Sequence, residues 1–76
     1  MDKGFQTLQE QLAEVIKTER LKLGLSQEAL ALAAEVDRTY VSQIERGVAN
    51  PSLLILHRLA AVMGLSLQIG FSGRRK

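Results

Sequence analysis

Apolar residues recur at helical spacing through the first third of the chain: Leu8, Leu12, Val15, Ile16 and Leu23 stand at i, i+4, i+7, i+8 and i+15. Thr7 followed by Glu10 has the spacing of a capping box, and Gly24 supplies the positive-φ exit that commonly ends a helix. A first helix is therefore predicted over about residues 8–23, with 1–6 as an N-terminal arm. Ser26 is a good N-cap, and Glu28 suits the positive end of a helix dipole. Behind them Ala29, Leu30, Ala33 and Ala34 give a second helix a face of small residues, which lets a neighbour approach closely. Asp37 caps a third helix, with Arg38, Thr39 and Tyr40 in its first turn, Val41 and Ile44 facing inward and Gly47 closing it. A fourth begins at "NPS", with Asn50 or Ser52 as cap and Pro51 pre-set in the first turn. Its stripe is Leu53, Leu56, Leu59, Ala60 and Met63.

Leu54, Ile55 and Val62 exceed what one stripe needs, which points to a second burial surface, most simply a symmetric partner. Past Gly64 the period changes to two: Leu65, Leu67, Ile69 and Phe71 alternate with Ser66, Gln68, Gly70 and Ser72. A lone strand has nothing to pair with in a four-helix domain. Either two copies pair their strands across a two-fold axis, or residues 65–71 form an extended tail on their own core. The first solution places Leu54, Ile55, Val62, Leu67, Ile69 and Phe71 at a dimer interface.

Only Glu35, Val36 and Asp37 separate the second helix from the third. Two helices joined by so short a turn at a steep angle form a helix-turn-helix, with the β-branched Val36 suited to plug the inside of the turn. A corner between any two helices of a small bundle has the same outline, so the charged, polar first turn of the third helix decides what the motif is for.

Composition narrows the choice. The 76 residues make one small domain, braced by no cysteine, and the 46% hydrophobic content is enough for a core. Ten Lys and Arg stand against 8 Asp and Glu; without Arg74, Arg75 and Lys76 the balance is 7 against 8. The globular part is not a polycation, and nucleic acid would have to be held by a local arrangement of donors. The basic end is either a phosphate-seeking arm or a solvated terminus. No apolar run approaches the roughly 20 residues that cross a bilayer, and the start lacks the apolar region of a secretory signal, so a cytoplasmic location is expected. An enzyme fits poorly: His57 is the one histidine, there is no glycine-rich phosphate loop, and no spacing suits a metal or another cofactor.

Residues 16–66, "IKTERLKLGLSQEALALAAEVDRTYVSQIERGVANPSLLILHRLAAVMGLS", resemble the Cro/lambda-repressor-type helix-turn-helix, the XRE family, over about two-thirds of the chain. The resemblance implies an all-α, lambda-repressor-like bundle of four to five helices, ending here in a short β-strand or extended tail. It puts the third helix in the DNA major groove. Carried over by position, Arg38, Thr39 and Gln43 occupy base-reading positions. Gln27, Tyr40, Ser42, Arg46, Asn50 and Ser52 take phosphate or flanking ones. Arg20 and Glu45 match an ion pair that the family often forms between its first and third helices, a structural role. "DRTYVSQIERG" followed by "NPSL" is especially similar to the controller proteins of restriction–modification systems. The ending "LSLQIGFSG" is more like that of antitoxins partnering HipA-type kinase toxins, whose C-terminal strands pair in the dimer.

These side chains can carry the implied chemistry. An Arg in the first turn of a recognition helix can bind guanine O6 and N7 together, Gln43 can address adenine N6 and N7, and Thr39 can offer a hydroxyl, or its methyl to thymine. A fixed turn lets phosphate contacts set the register of base contacts. The reading that follows is a homodimeric, sequence-specific transcriptional regulator whose partner is a double-stranded, near-palindromic operator. The alternative is an antitoxin-like interaction module whose main partner is a toxin protein.

Overall fold

The computed structural model describes residues 2–73. Four helices follow one another: α1 (Lys3–Lys22), α2 (Gln27–Ala34), α3 (Arg38–Glu45) and α4 (Leu53–Val62). Helix α1 starts five residues earlier than its apolar spacing predicts. Asp2 caps it, accepting the Phe5 N–H at 3.0 Å, so residues 3–6 are the first turn of the helix and not an arm. Thr7 lies inside the helix, its hydroxyl donating back to the Lys3 carbonyl at 3.0 Å. A cap bond to an anionic acceptor five residues before Thr7 overrides the Thr7–Glu10 spacing. The stripe of α1 is also rotated: Leu8, Val15 and Leu23 are exposed, and Ala13, Ile16 and Arg20 are buried with Leu12 half-buried.

The later boundaries follow the local signals. Ser26 accepts the Ala29 N–H at 2.9 Å, and Asp37 accepts the Thr39 N–H at 2.8 Å. Ser52, not Asn50, caps α4, taking the Ile55 N–H at 3.2 Å. Pro51 consequently stands before the cap and outside the first turn. Gly24 and Gly47, at φ of +71° and +75°, leave α1 and α3 through the left-handed region. Glu35 does the same for α2 at φ +60°, and the Val36 N–H closes the turn on the Ala31 carbonyl at 2.9 Å. A left-handed non-glycine residue costs on the order of 1–2 kcal/mol, so the surrounding packing has to hold it there.

What holds it is the core. Leu30, Val41, Ile44 and Leu59 are fully buried, joined by Ile16, Ala31, Ala34, Ala49 and Met63. Helix α2 packs on both α3 and α4, and α1 packs on α3. The buried face of α2 is Leu30, Ala31 and Ala34, while Ala33 is exposed. Val36 sits half-buried against this cluster, inside the turn. Ile55 and Val62 also pack against it, which narrows the expected apolar surplus of α4 to Leu54, 57% exposed, while Leu53, expected in the inward stripe, is 60% exposed at the first turn. Residues 65–73 carry neither helix nor strand in the single chain, with Leu67 half-buried and Ile69 and Phe71 exposed. The basic end, residues 74–76, lies outside the described residues. No described helix is long and apolar enough to cross a membrane.

Candidate nucleic-acid interface

Because Val41 and Ile44 are driven into the core, with Tyr40 packed against it and the Glu45 side chain buried, the opposite side of α3 faces away from it. At about 100° per residue, Arg38, Thr39, Ser42, Gln43 and Arg46 fall within an arc of about 140° opposite those two anchors. Arg38, Thr39 and Arg46 are exposed, and Ser42 and Gln43 half-buried. The side chains of Arg38, Thr39, Ser42 and Gln43 make no hydrogen bond within the described residues, so their donors and acceptors remain available to a ligand. Arg38 stands at the positive end of the α3 dipole, a placement that opposes its charge and that an anionic or strongly accepting ligand would offset.

Three side chains lock α3 from behind. Arg20 of α1 donates through Nε to Glu45 Oε2 at 2.6 Å and through Nη2 to Oε1 at 2.9 Å. Its Nη1 donates to the Leu25 carbonyl at 2.7 Å, at the entrance to α2. Gln27 adds a bond from Nε2 to Glu45 Oε1 at 3.0 Å. The Arg20 and Glu45 side chains are 9% and 4% exposed, so this is a buried, bidentate pair. The hydrogen bonds it donates to Glu45 hold the Arg20 guanidinium even more firmly protonated than usual, against the opposing effect of burial. Burial pushes the Glu45 carboxyl up, but the hydrogen bonds from Arg20 and Gln27, with the charges of Arg20 and Lys17, outweigh it and bring it below its ordinary value. One cluster thus ties the end of α1, the start of α2 and the end of α3. The Gln27 amide belongs to it, which differs from the outward phosphate donor that position suggests.

The segment from Gly47 to Ser52 is fixed from both sides. The Tyr40 hydroxyl reaches the Asn50 carbonyl at 3.4 Å, and Gln9 Nε2 of α1 donates to the Ala49 carbonyl at 2.7 Å. Asn50 and Ser52 are exposed beside the start of α4, whose first N–H groups have no partner inside the helix. Gln9 was not singled out from the sequence. A signal exists, however: Phe5, Gln9 and Leu12 stand at i, i+4 and i+7, and a polar residue at an inward helical position needs a tertiary hydrogen-bond partner.

Comparison with known proteins matches residues 16–69 to the HTH_3 family model, described as helix-turn-helix. The chain belongs to that family. It is 42% identical over 60 residues to the control protein C.MunI of a Mycoplasma species, covering 79% of this chain and 81% of the relative. Among solved structures it is similar to the restriction–modification controller C.AhdI from Aeromonas hydrophila, with a TM-score of 0.76 and 33% identity over 79% of this chain and 91% of that one. It is likewise similar to the controller C.Esp1396I, solved as a tetramer in complex with its natural 35 base-pair operator, with a TM-score of 0.73 and 37% identity over 78% of each chain. Within this helix-turn-helix family, α2 and α3 are the two helices of the motif, and the outward arc of α3 is the side of the second helix that the core leaves uncovered.

Proposed function

We propose that the protein is a homodimeric, sequence-specific transcriptional regulator that inserts α3 into the major groove of a near-palindromic operator. The observation that carries this reading is the outward arc Arg38–Thr39–Ser42–Gln43, unengaged within the chain and backed by a buried ion pair that fixes its angle. Arg38, Thr39 and Gln43 read base edges. Tyr40, Ser42, Arg46, Asn50 and Ser52 contact phosphates or flanking positions, with the N-terminal end of α2 at Gln27 beside the backbone. Two copies present their α3 helices about 34 Å apart, to successive major grooves on one face of the duplex. The similar controller C.Esp1396I, solved as a tetramer with its natural operator, supports operator binding as the activity. Leu54, Ile69 and Phe71 are exposed and apolar in the single chain, which suits burial against a second copy.

Selection of bound duplexes from a random pool returns the site, its symmetry and its half-site spacing together. On that site, Arg38→Ala costs about 1–3 kcal/mol and relaxes selectivity at one base pair. Equal losses on operator and scrambled duplexes would remove Arg38 from base reading. The exposed apolar tail also favours a second reading, in which its partner is a toxin protein and DNA binding serves autoregulation. Isolated protein that stays monomeric at micromolar concentration, yet forms a stoichiometric complex with a co-encoded protein, would support that reading over the first.

A further inference from the structure

The longest-range side-chain hydrogen bond among the described residues joins Gln9 to the Ala49 carbonyl, 40 positions apart, at 2.7 Å and partly buried. Ala49 is itself 7% exposed and belongs to the core. The neighbouring Gly47 lies against the α1 backbone at Gln9 and Glu10, close enough that an added Cβ would stand 3.9 Å from the Gln9 carbonyl. The next carbonyl along, that of Asn50, takes the Tyr40 hydroxyl. Two side chains from different helices therefore claim consecutive carbonyls of a six-residue segment that has no helix or strand of its own. Beside these two held carbonyls, Asn50, Ser52 and Leu53 are exposed at the start of α4.

We infer that Gln9 is a positioning residue for DNA-backbone binding: through the Ala49 carbonyl it holds the 47–52 segment so that Asn50, Ser52 and the first N–H groups of α4 meet a phosphate. The inference rests on the DNA-binding reading above and extends it to a residue of α1 that acts through the Ala49 carbonyl without itself contacting DNA. A contact held this way carries no base information, so its loss lowers affinity evenly across sequences. A single neutral hydrogen bond of this kind corresponds to about a three- to tenfold change in an equilibrium.

The test uses the full chain with Gln9→Ala and Gln9→Glu, the second keeping the length of the side chain but presenting a carboxylate that cannot donate to a carbonyl at neutral pH. In the free protein, amide exchange at residues 48–54 accelerates about three- to tenfold in both variants while that of α2 is unchanged. On DNA, both bind operator and scrambled duplexes about three- to tenfold more weakly, with the ratio between the duplexes preserved. Combined with Asn50→Ala, the losses are less than multiplicative, because both act on one contact. Unchanged affinity at a temperature well below unfolding, whatever the exchange rates, overturns the inference and leaves Gln9 a stability residue. A loss confined to the operator overturns it too. Wild-type protein that binds neither duplex sinks the DNA-binding reading itself and the inference with it, an outcome distinct from a wild type that binds and a Gln9 variant that binds equally well.

Discussion

Removing Glu45 is the sharpest perturbation of the architecture that aims α3. The Glu45→Ala variant deletes the acceptor of three hydrogen bonds, two from Arg20 and one from Gln27. It leaves the Arg20 guanidinium, whose side chain is 9% exposed, with only the Leu25 carbonyl at 2.7 Å. An uncompensated buried charge of this kind costs about 3–5 kcal/mol, whereas replacing both members of such a pair by apolar residues of similar volume is often neutral or stabilising. A 76-residue domain has a total stability on the order of 4–11 kcal/mol, so the single variant forfeits a large share of it. For a chain this short, each kcal/mol moves the melting midpoint by roughly 4–8 °C, and a drop of at least about 12 °C follows. Urea unfolding followed by circular dichroism measures the free energy directly. The comparison is with Arg20→Met combined with Glu45→Leu, which regains most of the loss. The reasoning is refuted if Glu45→Ala costs less than about 1 kcal/mol, or if the double variant is as unstable as the single one. It also predicts that Glu45→Ala, measured where it is folded, disturbs sequence preference less than stability; intact stability with altered preference would contradict the structural role.

Acid should find the same cluster. The folded Glu45 carboxyl lies below its ordinary value of 4.5, so its contribution is fully present above about pH 4.5 and is lost as the pH falls through the lower folded value. Stability profiles of the wild type and of the Arg20→Met, Glu45→Leu double variant should diverge below that pH, the wild type falling more steeply; parallel curves would count against it. In the C-terminal tail, Phe71→Asp replaces a fully exposed aromatic ring with a carboxylate. If two copies pair as proposed, sedimentation should show the variant shifted from dimer toward monomer with its melting behaviour as a monomer unchanged, and an unaltered association constant would exclude Phe71 from the proposed interface.

Local signals located the start of three helices because each cap is a short-range contract. Ser26, Asp37 and the cap before α4 bond to N–H groups two or three residues ahead, and the choice between Asn50 and Ser52 needed only the geometry that the Ser52 hydroxyl supplies. The inward pair Val41 and Ile44 was legible for the same reason, and with it the outward side of α3. The first helix misled because Leu8, Val15 and Leu23 share a helical face with Leu12 and Ile16 in sequence, yet α3 covers only part of that face. Periodicity states which residues lie together on a helix, not how wide a neighbour covers them. Arg20 meets Glu45 across 25 positions and Gln9 meets Ala49 across 40, and no local pattern encodes such meetings. The first came from family resemblance; the second had only the inward placement of a polar residue to announce it.

The division of α3 into an anchored side and an unengaged side has a consequence for how such a regulator can change over time. Arg38, Thr39, Ser42 and Gln43 contribute no side-chain hydrogen bond to the described structure, while Val41, Ile44 and Glu45 secure the helix from the other side. Exchanging the first group spares the residues on which folding depends, so new target preferences can be sampled without first purchasing extra stability. A duplicated copy of this chain could drift to a different operator one outward residue at a time, each intermediate still a folded protein.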